Sequence, residues 1–201
     1  GIFHVSAVEP LRHEDIRLQQ LQGHFPAQMP LAAILYGYPG LHVFDMHRQA
    51  NPEPALKFQQ SGFLREGWKA YSAELMDQAG FFADPFERLI FLRYRLINAW
   101  RVQFDIKLHT QEMTLEECTE LLTNECGLES SNAEGEARRY ASTPTMQMAH
   151  ALGMRQILDL RQAAEQREGK GFSLRRFHDG LLGCGQVPAE LAEIILRDGL
   201  P

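Results

Sequence analysis

Three short segments bring together residues able to do chemistry. The first is Leu35-Tyr36-Gly37-Tyr38-Pro39-Gly40-Leu41-His42. A Pro-Gly pair inside an apolar, otherwise helical stretch costs helix stability. A local bulge that re-aims side chains at a site would account for it. The second is Arg65-Glu66-Gly67-Trp68-Lys69-Ala70-Tyr71-Ser72-Ala73-Glu74. On a helix, Glu66, Ala70 and Ala73 share a face, as do Tyr71 and Glu74. A glutamate beside Gly-Trp in such a helix is a candidate metal ligand or acid/base group. The third is Asp105-Ile106-Lys107-Leu108-His109, where a protonated histidine at a helix C-terminus is favoured by the dipole.

Helices must carry all three. Apolar residues recur at three- and four-residue spacing in long windows, and no strand pattern is convincing. The clearest window is 84–108. Asp84 can cap it, Pro85 suits its first position, and Glu87 completes a capping-box-like start. Phe86, Leu89, Ile90, Leu96, Ile97, Trp100 and Phe104 are expected on its inner side. Arg93 and Arg95 interrupt that run and would snorkel or reach a buried carboxylate. Thr114 with Glu117 opens the next helix, and Gly127 is a plausible stop. Thr143-Pro144 is expected to open a helix to about Glu168. Ser173 caps a short helix through Leu182, and Pro188 begins the last. Residues 10–22, 26–50 (interrupted at Pro39-Gly40) and 62–80 complete the reading. The fold expected is all-α, a multi-helix bundle-like domain of about nine helices. It is taken as a single domain over 1–201, with 1–25 as a candidate irregular N-terminal extension.

Composition narrows the function. A formal net charge of -6 leaves no excess of Lys and Arg to replace counterions on nucleic acid, so no nucleic-acid partner is expected. Cys118, Cys126 and Cys184 form no Cys-x-x-Cys pair and are read as buried free thiols. No run of 18 apolar residues exists to span a membrane. No leader is visible, although the chain opens on Gly1 rather than Met. The localisation stays open between a bacterial cytoplasm and export, for a soluble protein. Ser61 and Ser72 lack a nucleophile-elbow setting.

The segments, taken in order, resemble domain of unknown function 885. This bacterial family's fold and motif resemble the gluzincin zinc peptidases. Its signature reads His-Glu-Gly-Tyr-Pro-Gly-His-His, then Glu-Gly-Trp-Ala-Leu-Tyr-x-Glu, then Asp-Thr-Gly-x-His. Arg-Tyr with a nearby Pro-x-x-Gln follows, and then Phe-His-Asp before a Gly-x-Gly-x-x-Pro turn. This chain offers Gly37-Tyr38-Pro39-Gly40 of the first motif, Glu66-Gly67-Trp68, Tyr71 and Glu74 of the second, and Asp105 and His109 of the third. It also offers Glu136, Arg139, Tyr140, Pro144 and Gln147, then Phe177-His178-Asp179, Gly183, Gly185 and Pro188. Full members are much longer, so the resemblance covers their C-terminal half.

The departures fall on the metal-binding positions. Leu35-Tyr36 stands where the family has His-Glu, and Leu41-His42 where it has His-His. A catalytic zinc wants about three protein ligands and a water, with a carboxylate to take the water's proton. By the resemblance, Leu35 binds no metal, Tyr36 is no general base, and only His42 and Glu66 are left as metal ligands, if a site survives at all. His109 or His178 could rebuild one. Tyr36, His109, Arg139 and Tyr140 are the remaining, vestigial catalytic candidates. No cofactor is expected, or zinc if a site is rebuilt. Without metal, Glu66 needs a cationic partner such as Arg93 or Arg139.

The expected function is thus a non-catalytic, zinc-peptidase-like domain binding a peptide or protein partner. The alternatives are a metal-dependent hydrolase with an altered or partner-completed site, and a purely structural helical module. The apolar stretch Leu31, Ile34, Leu35, Leu41 and Val43, if exposed, would favour a homodimer.

Overall fold

The structure, a computed structural model, describes residues 10–22, 25–59 and 61–198. The all-helical expectation holds, with no strand among the described residues. The described residues gather into two compact units, each made of two stretches of chain: Gly1–Ala32 with Gly80–Met148, and Ala33–Ala79 with Ala149–Pro201. Within the expected N-terminal extension Glu14–Gln22 is helix α1; residues 1–9, 23 and 24 lie outside the described residues.

The first unit contains α1, a 3₁₀ turn at Pro26–Gln28, α2 (Met29–Ala32), α6 (Pro85–His109), α7 (Leu115–Asn124) and α8 (Ser130–Ser142). The second contains a π-helical segment at Ala33–Gly37, then α3 (Leu41–Ala50), α4 (Pro54–Phe58), α5 (Gly62–Gln78), α9 (Ala149–Glu168), α10 (Leu174–Gly183) and α11 (Ala189–Asp198).

In the first unit the caps form as their residues demand. Asp84 Oδ1 accepts from the backbone N–H of Phe86 and Glu87 at 2.8 and 3.2 Å. Thr114 and Glu117 make a full capping box. Gly127 takes φ +64 after α7, a left-handed turn that favours glycine. The core gathers Phe104, Cys118, Leu122, Ala133, Ala137 and Tyr140. All three cysteines are buried and free.

Helix α6 keeps Ile97, Trp100 and Phe104 of the expected inner face against the core, and departs from it at Phe86, Leu89 and Leu96. Phe91, Asn98, Phe104 and Asp105 are buried, whereas Phe86, Leu89 and Leu96 are 71%, 58% and 44% exposed. The helix carries two apolar stripes, and periodicity cannot choose between them. Its contacts with α8, α2 and the Pro26–Gln28 turn make the choice. Arg93 neither snorkels nor meets a carboxylate; its guanidinium donates to the carbonyls of Cys126 and Gly127 at 2.8 and 2.6 Å, closing the end of α7. The helix expected from Thr143-Pro144 starts only at Ala149, because residues 143–148 form a turn with Thr145 at φ +68. Asp105 holds that turn, accepting from the N–H of Thr145, Gln147 and Met148 at 2.8, 2.9 and 3.0 Å.

In the second unit α5 and α9 form the most extensive helix pair. Their axes approach so closely that a Cβ on Gly67 would lie 2.3 Å from the carbonyl carbon of Gly153. One on Gly153 would lie 1.9 Å from the carbonyl oxygen of Phe63. Around this crossing Phe44, Leu64, Trp68, Tyr71, Ile157, Leu160, Leu181 and Val187 form the core. The apolar stretch 31–43 is covered within the chain: Leu31, Ile34, Leu35 and Leu41 are buried, and Val43 packs against the core. It is therefore not the exposed surface that would drive a dimer.

Replacing Gly153 by Ala is expected to destabilise the protein by at least about 1–3 kcal/mol, since backbone must move to admit one methyl group. Gly135→Ala, in α8 with open space around it, is expected to stabilise by about 0.5–1 kcal/mol. Urea unfolding of both variants checks the pair; equal midpoints would refute the close-crossing account.

Candidate functional site

Glu66 lies one residue before Gly67, and His150 lies one helical turn before Gly153. The Gly67–Gly153 crossing therefore sets these two side chains against each other, with His150 Nδ1 3.4 Å from Glu66 Oε2. Both are largely withdrawn from solvent, at 8% and 12% side-chain exposure. A carboxylate so placed is costly unless its charge is met. Its own helix meets it. Arg65 donates to Oε1 at 2.9 Å, and the Lys69 ammonium contacts Oε2. Arg65 also reaches Asp45 of α3 at 3.4 Å. Lys69 is 7% exposed, an unusual depth for lysine. Its ammonium also lies 5.4 Å from the centre of the Tyr36 ring, a cation–π distance.

The expectation of an ionic partner for Glu66 is met, but by different residues. Arg93 and Arg139, named from the sequence, belong to the first unit and are engaged there. The physical reason is proximity along one helix: Lys69 at i+3 shares the carboxylate's face, and the long Arg65 side chain reaches across to the other oxygen. Lys69 and His150 went unnoticed in the sequence. The signal for Lys69 was present, since it stands where the second motif has Ala. The motif's closing glutamate also needs correction. Counting seven residues from Glu66 gives Ala73, wholly buried, and Glu74 stands one place later.

The Gly-Tyr-Pro-Gly interruption is a bulge of the kind anticipated. Residues Ala33–Gly37 are π-helical, and a turn at 38–40 leads into α3. A Cβ on Gly40 would meet the carbonyl oxygens of Ile34 and Leu35 at 2.1 and 2.3 Å, so the turn folds back on the bulge as only glycine permits. Trp68 Nε1 donates to the Pro39 carbonyl at 2.9 Å and ties the turn to α5. Leu35 and Leu41, on the positions that departed from the family pattern, point into protein at 6% and 7% exposure, whereas Tyr36 and Tyr38 are 49% and 78% exposed. His42 is exposed on α3. Among the described residues, no group of three or more His, Cys, Asp or Glu side chains is arranged to hold a metal ion, so His42 and Glu66 belong to no such group.

The other candidates, His109, Arg139 and Tyr140, fall in the first unit. Tyr140 is fully buried and donates to Glu136 Oε2 at 2.8 Å; Arg139 grips the same carboxylate at 2.9 and 2.6 Å. Arg101 adds 3.3 Å to Glu136 and 3.1 Å to the Tyr140 hydroxyl. Burial is the largest influence on Glu136 and raises its pKa, but the two guanidiniums and the phenol together hold it below the usual range. Burial pushes the Tyr140 hydroxyl up to about 12. Arg139 also donates to Gln147 Oε1 at 3.2 Å. The Arg139 charge is thus met by an internal carboxylate. His109 Nδ1 sits 2.6 Å from the Asp105 carbonyl, and that hydrogen bond leads the effects that raise its pKa.

Glu66→Gln is expected to cost about 3 kcal/mol, because it takes the counter-charge from the buried Lys69 ammonium and leaves Arg65 only its longer contact to Asp45. Lys69→Met should also destabilise. The double variant should be less unstable than the sum by at least about 1 kcal/mol, since the two side chains share one interaction. Strict additivity in urea unfolding would remove the proposed pairing.

The fold is shared with solved bacterial proteins. A lipoprotein candidate of unknown function from Shewanella oneidensis superposes with a TM-score of 0.84 at 22% identity, over 98% of this chain and 36% of that one. A lipoprotein candidate from Colwellia psychrerythraea gives 0.80 at 28% identity, over 86% of this chain and 30% of that one. The chain thus spans about a third of the length of these structures. No curated protein matches it. The family match runs over residues 16–194, and on it the chain belongs to the bacterial proteins of unknown function DUF885.

Proposed function

We infer that this chain is a zinc-peptidase-like domain without hydrolytic activity, in which an internal ammonium occupies the place of a metal cation at Glu66. The observation that carries this reading is the Glu66 carboxylate, engaged by Arg65 on one oxygen and by Lys69 on the other. Zinc at Glu66 would have to displace a buried cation from its own helix, and Leu35 and Leu41 supply no ligand nearby to compensate. The exposed Tyr36 and Tyr38 on the bulge and turn support a peptide or protein partner, since exposed aromatic side chains are typical anchors of such contacts. The description of the two solved relatives as lipoprotein candidates supports export. No described helix is long and apolar enough to cross a membrane.

The competing reading is a hydrolase with an altered metal site, and the Glu66–His150 contact is what favours it. Elemental analysis of the purified protein, with and without added zinc, separates the two. The proposed reading expects no stoichiometric metal; one zinc per chain would sink it. It also expects Leu35→His, Tyr36→Glu and Leu41→His together to bind zinc weakly, and to bind at least about tenfold more tightly once Lys69→Ala is added, because the resident cation is then gone. Equal affinity with and without Lys69 would refute the ammonium's role.

A further inference from the structure

Tyr71, Arg161 and His178 come from α5, α9 and α10, three helices of the second unit. The Tyr71 hydroxyl and His178 Nε2 share a hydrogen bond at 2.9 Å. Arg161 Nη1 donates to the same hydroxyl at 3.4 Å, and Arg161 pairs with Glu165 at 2.8 Å. Trp68 packs edge-on against the imidazole, with centroids 5.5 Å apart, and Phe177 lies 5.7 Å away on α10 itself. Tyr71 is 1% exposed and His178 is half-buried. One phenol oxygen thus joins three helices. The tie is continuous with the candidate site, since Trp68 also holds the Pro39 carbonyl.

With Arg161 donating to the phenol oxygen, the hydroxyl proton is left to His178 Nε2, and that assignment needs a neutral imidazole. To accept from Tyr71, Nε2 must be bare, which places the ring proton on Nδ1. A second proton on Nε2 removes that acceptor. The buried phenol oxygen then faces donors from two cations, Arg161 and His178, while its own proton loses its partner. Burial, followed by the charge of Arg161, lowers the pKa of His178; Asp179 opposes them. Glu165 bears on the cluster through Arg161 and Tyr71. Helices α3 and α11 also pack on α10 and bring Asp45, His47, Arg48, Glu190 and Glu193, but Arg161 and Asp179 are the charges that act most on His178.

We propose that His178 is a proton-operated tie, which holds α10 against α5 and α9 while neutral and releases it in mild acid. This goes beyond the reading of Glu66 and does not depend on it. The sign follows from linkage. An ordinary histidine titrates near 6.5, and the folded state holds His178 lower. Above about 6.5 both states are neutral and nothing changes. As pH falls below that, the unfolded chain takes the proton first, and the folding constant drops by up to about tenfold per pH unit until the folded value is reached.

The test is an NMR titration of the His178 imidazole between about pH 8 and 4.5, with Trp68 fluorescence followed in a Trp100→Phe background. The expected result is a midpoint below 6.5 that coincides with the Trp68 change, and that rises in Arg161→Gln as the repelling charge is removed. His178→Gln, which offers an acceptor but no titration, should lose less stability than the parent between about pH 6.5 and 5. A midpoint at or above 6.5, or a Trp68 signal indifferent to His178, overturns the proposal. Both readings are taken with His178 in place, so they decide even where His178→Gln fails to fold.

Discussion

Two glycines back to back, Gly67 on α5 and Gly153 on α9, set the geometry on which the second unit is built. Backbone meets backbone there, with no room for a Cβ on either side. Such contact fixes both the separation and the register of two helices, because sliding either one would bring a side chain into the gap. Everything of chemical interest on α5 then has a determined neighbour. Glu66 meets His150, and Tyr71 meets Arg161, further along the same pair. Helix α10 packs on α3 and α11 and reaches α5 through the imidazole of His178, while Phe177, Leu181 and Leu182 join the common core.

That constraint also explains why Glu66 cannot be left unpaired. The close crossing buries the carboxylate beside α9, where water is scarce. A charge in such a place requires an opposite charge or a metal ion. The chain provides Lys69 one turn away on the same helix and Arg65 next door. Both cations travel with the carboxylate through folding, so the neutralisation does not wait for any other element to arrive. The first unit repeats the theme with different parts: Glu136 is gripped by Arg139 and Arg101 and roofed by the Tyr140 hydroxyl. In both units a withdrawn carboxylate is met by cations from its own unit.

The bends of the chain rest on glycine and carboxylate contacts. Ala33–Gly37 form the π-helical bulge, and a Cβ on Gly40 would collide with the carbonyls of Ile34 and Leu35. Asp105 organises the turn at 143–148 through three backbone N–H groups. Leu35 and Leu41, on either side of the Gly-Tyr-Pro-Gly turn, are buried, whereas Tyr36 is half exposed. The bends depend on backbone contacts, and these three side chains take no part in them.

Local physics was legible in the sequence. Helical class, the caps at Asp84, Thr114 and Ser173, the stop at Gly127, the bulge at Pro39-Gly40 and the buried free cysteines all follow from short-range rules, where one residue acts on the next few. The need of Glu66 for a cation was legible too, because a carboxylate in an apolar helix demands one. Its partners were not. Distant arginines were the expectation, whereas Arg65 and Lys69 on the same helix meet the charge, and the tertiary structure adds the His150 contact. The choice between the two apolar stripes of α6 was likewise made by what packs on it, leaving Phe86 and Leu89 outside. The turn at 143–148 in place of a helix start was decided by Asp105, forty residues away in the chain. Where a contact spans helices, periodicity says only that a face exists; which face meets which is decided by the space two glycines leave and by where a buried charge finds its nearest opposite.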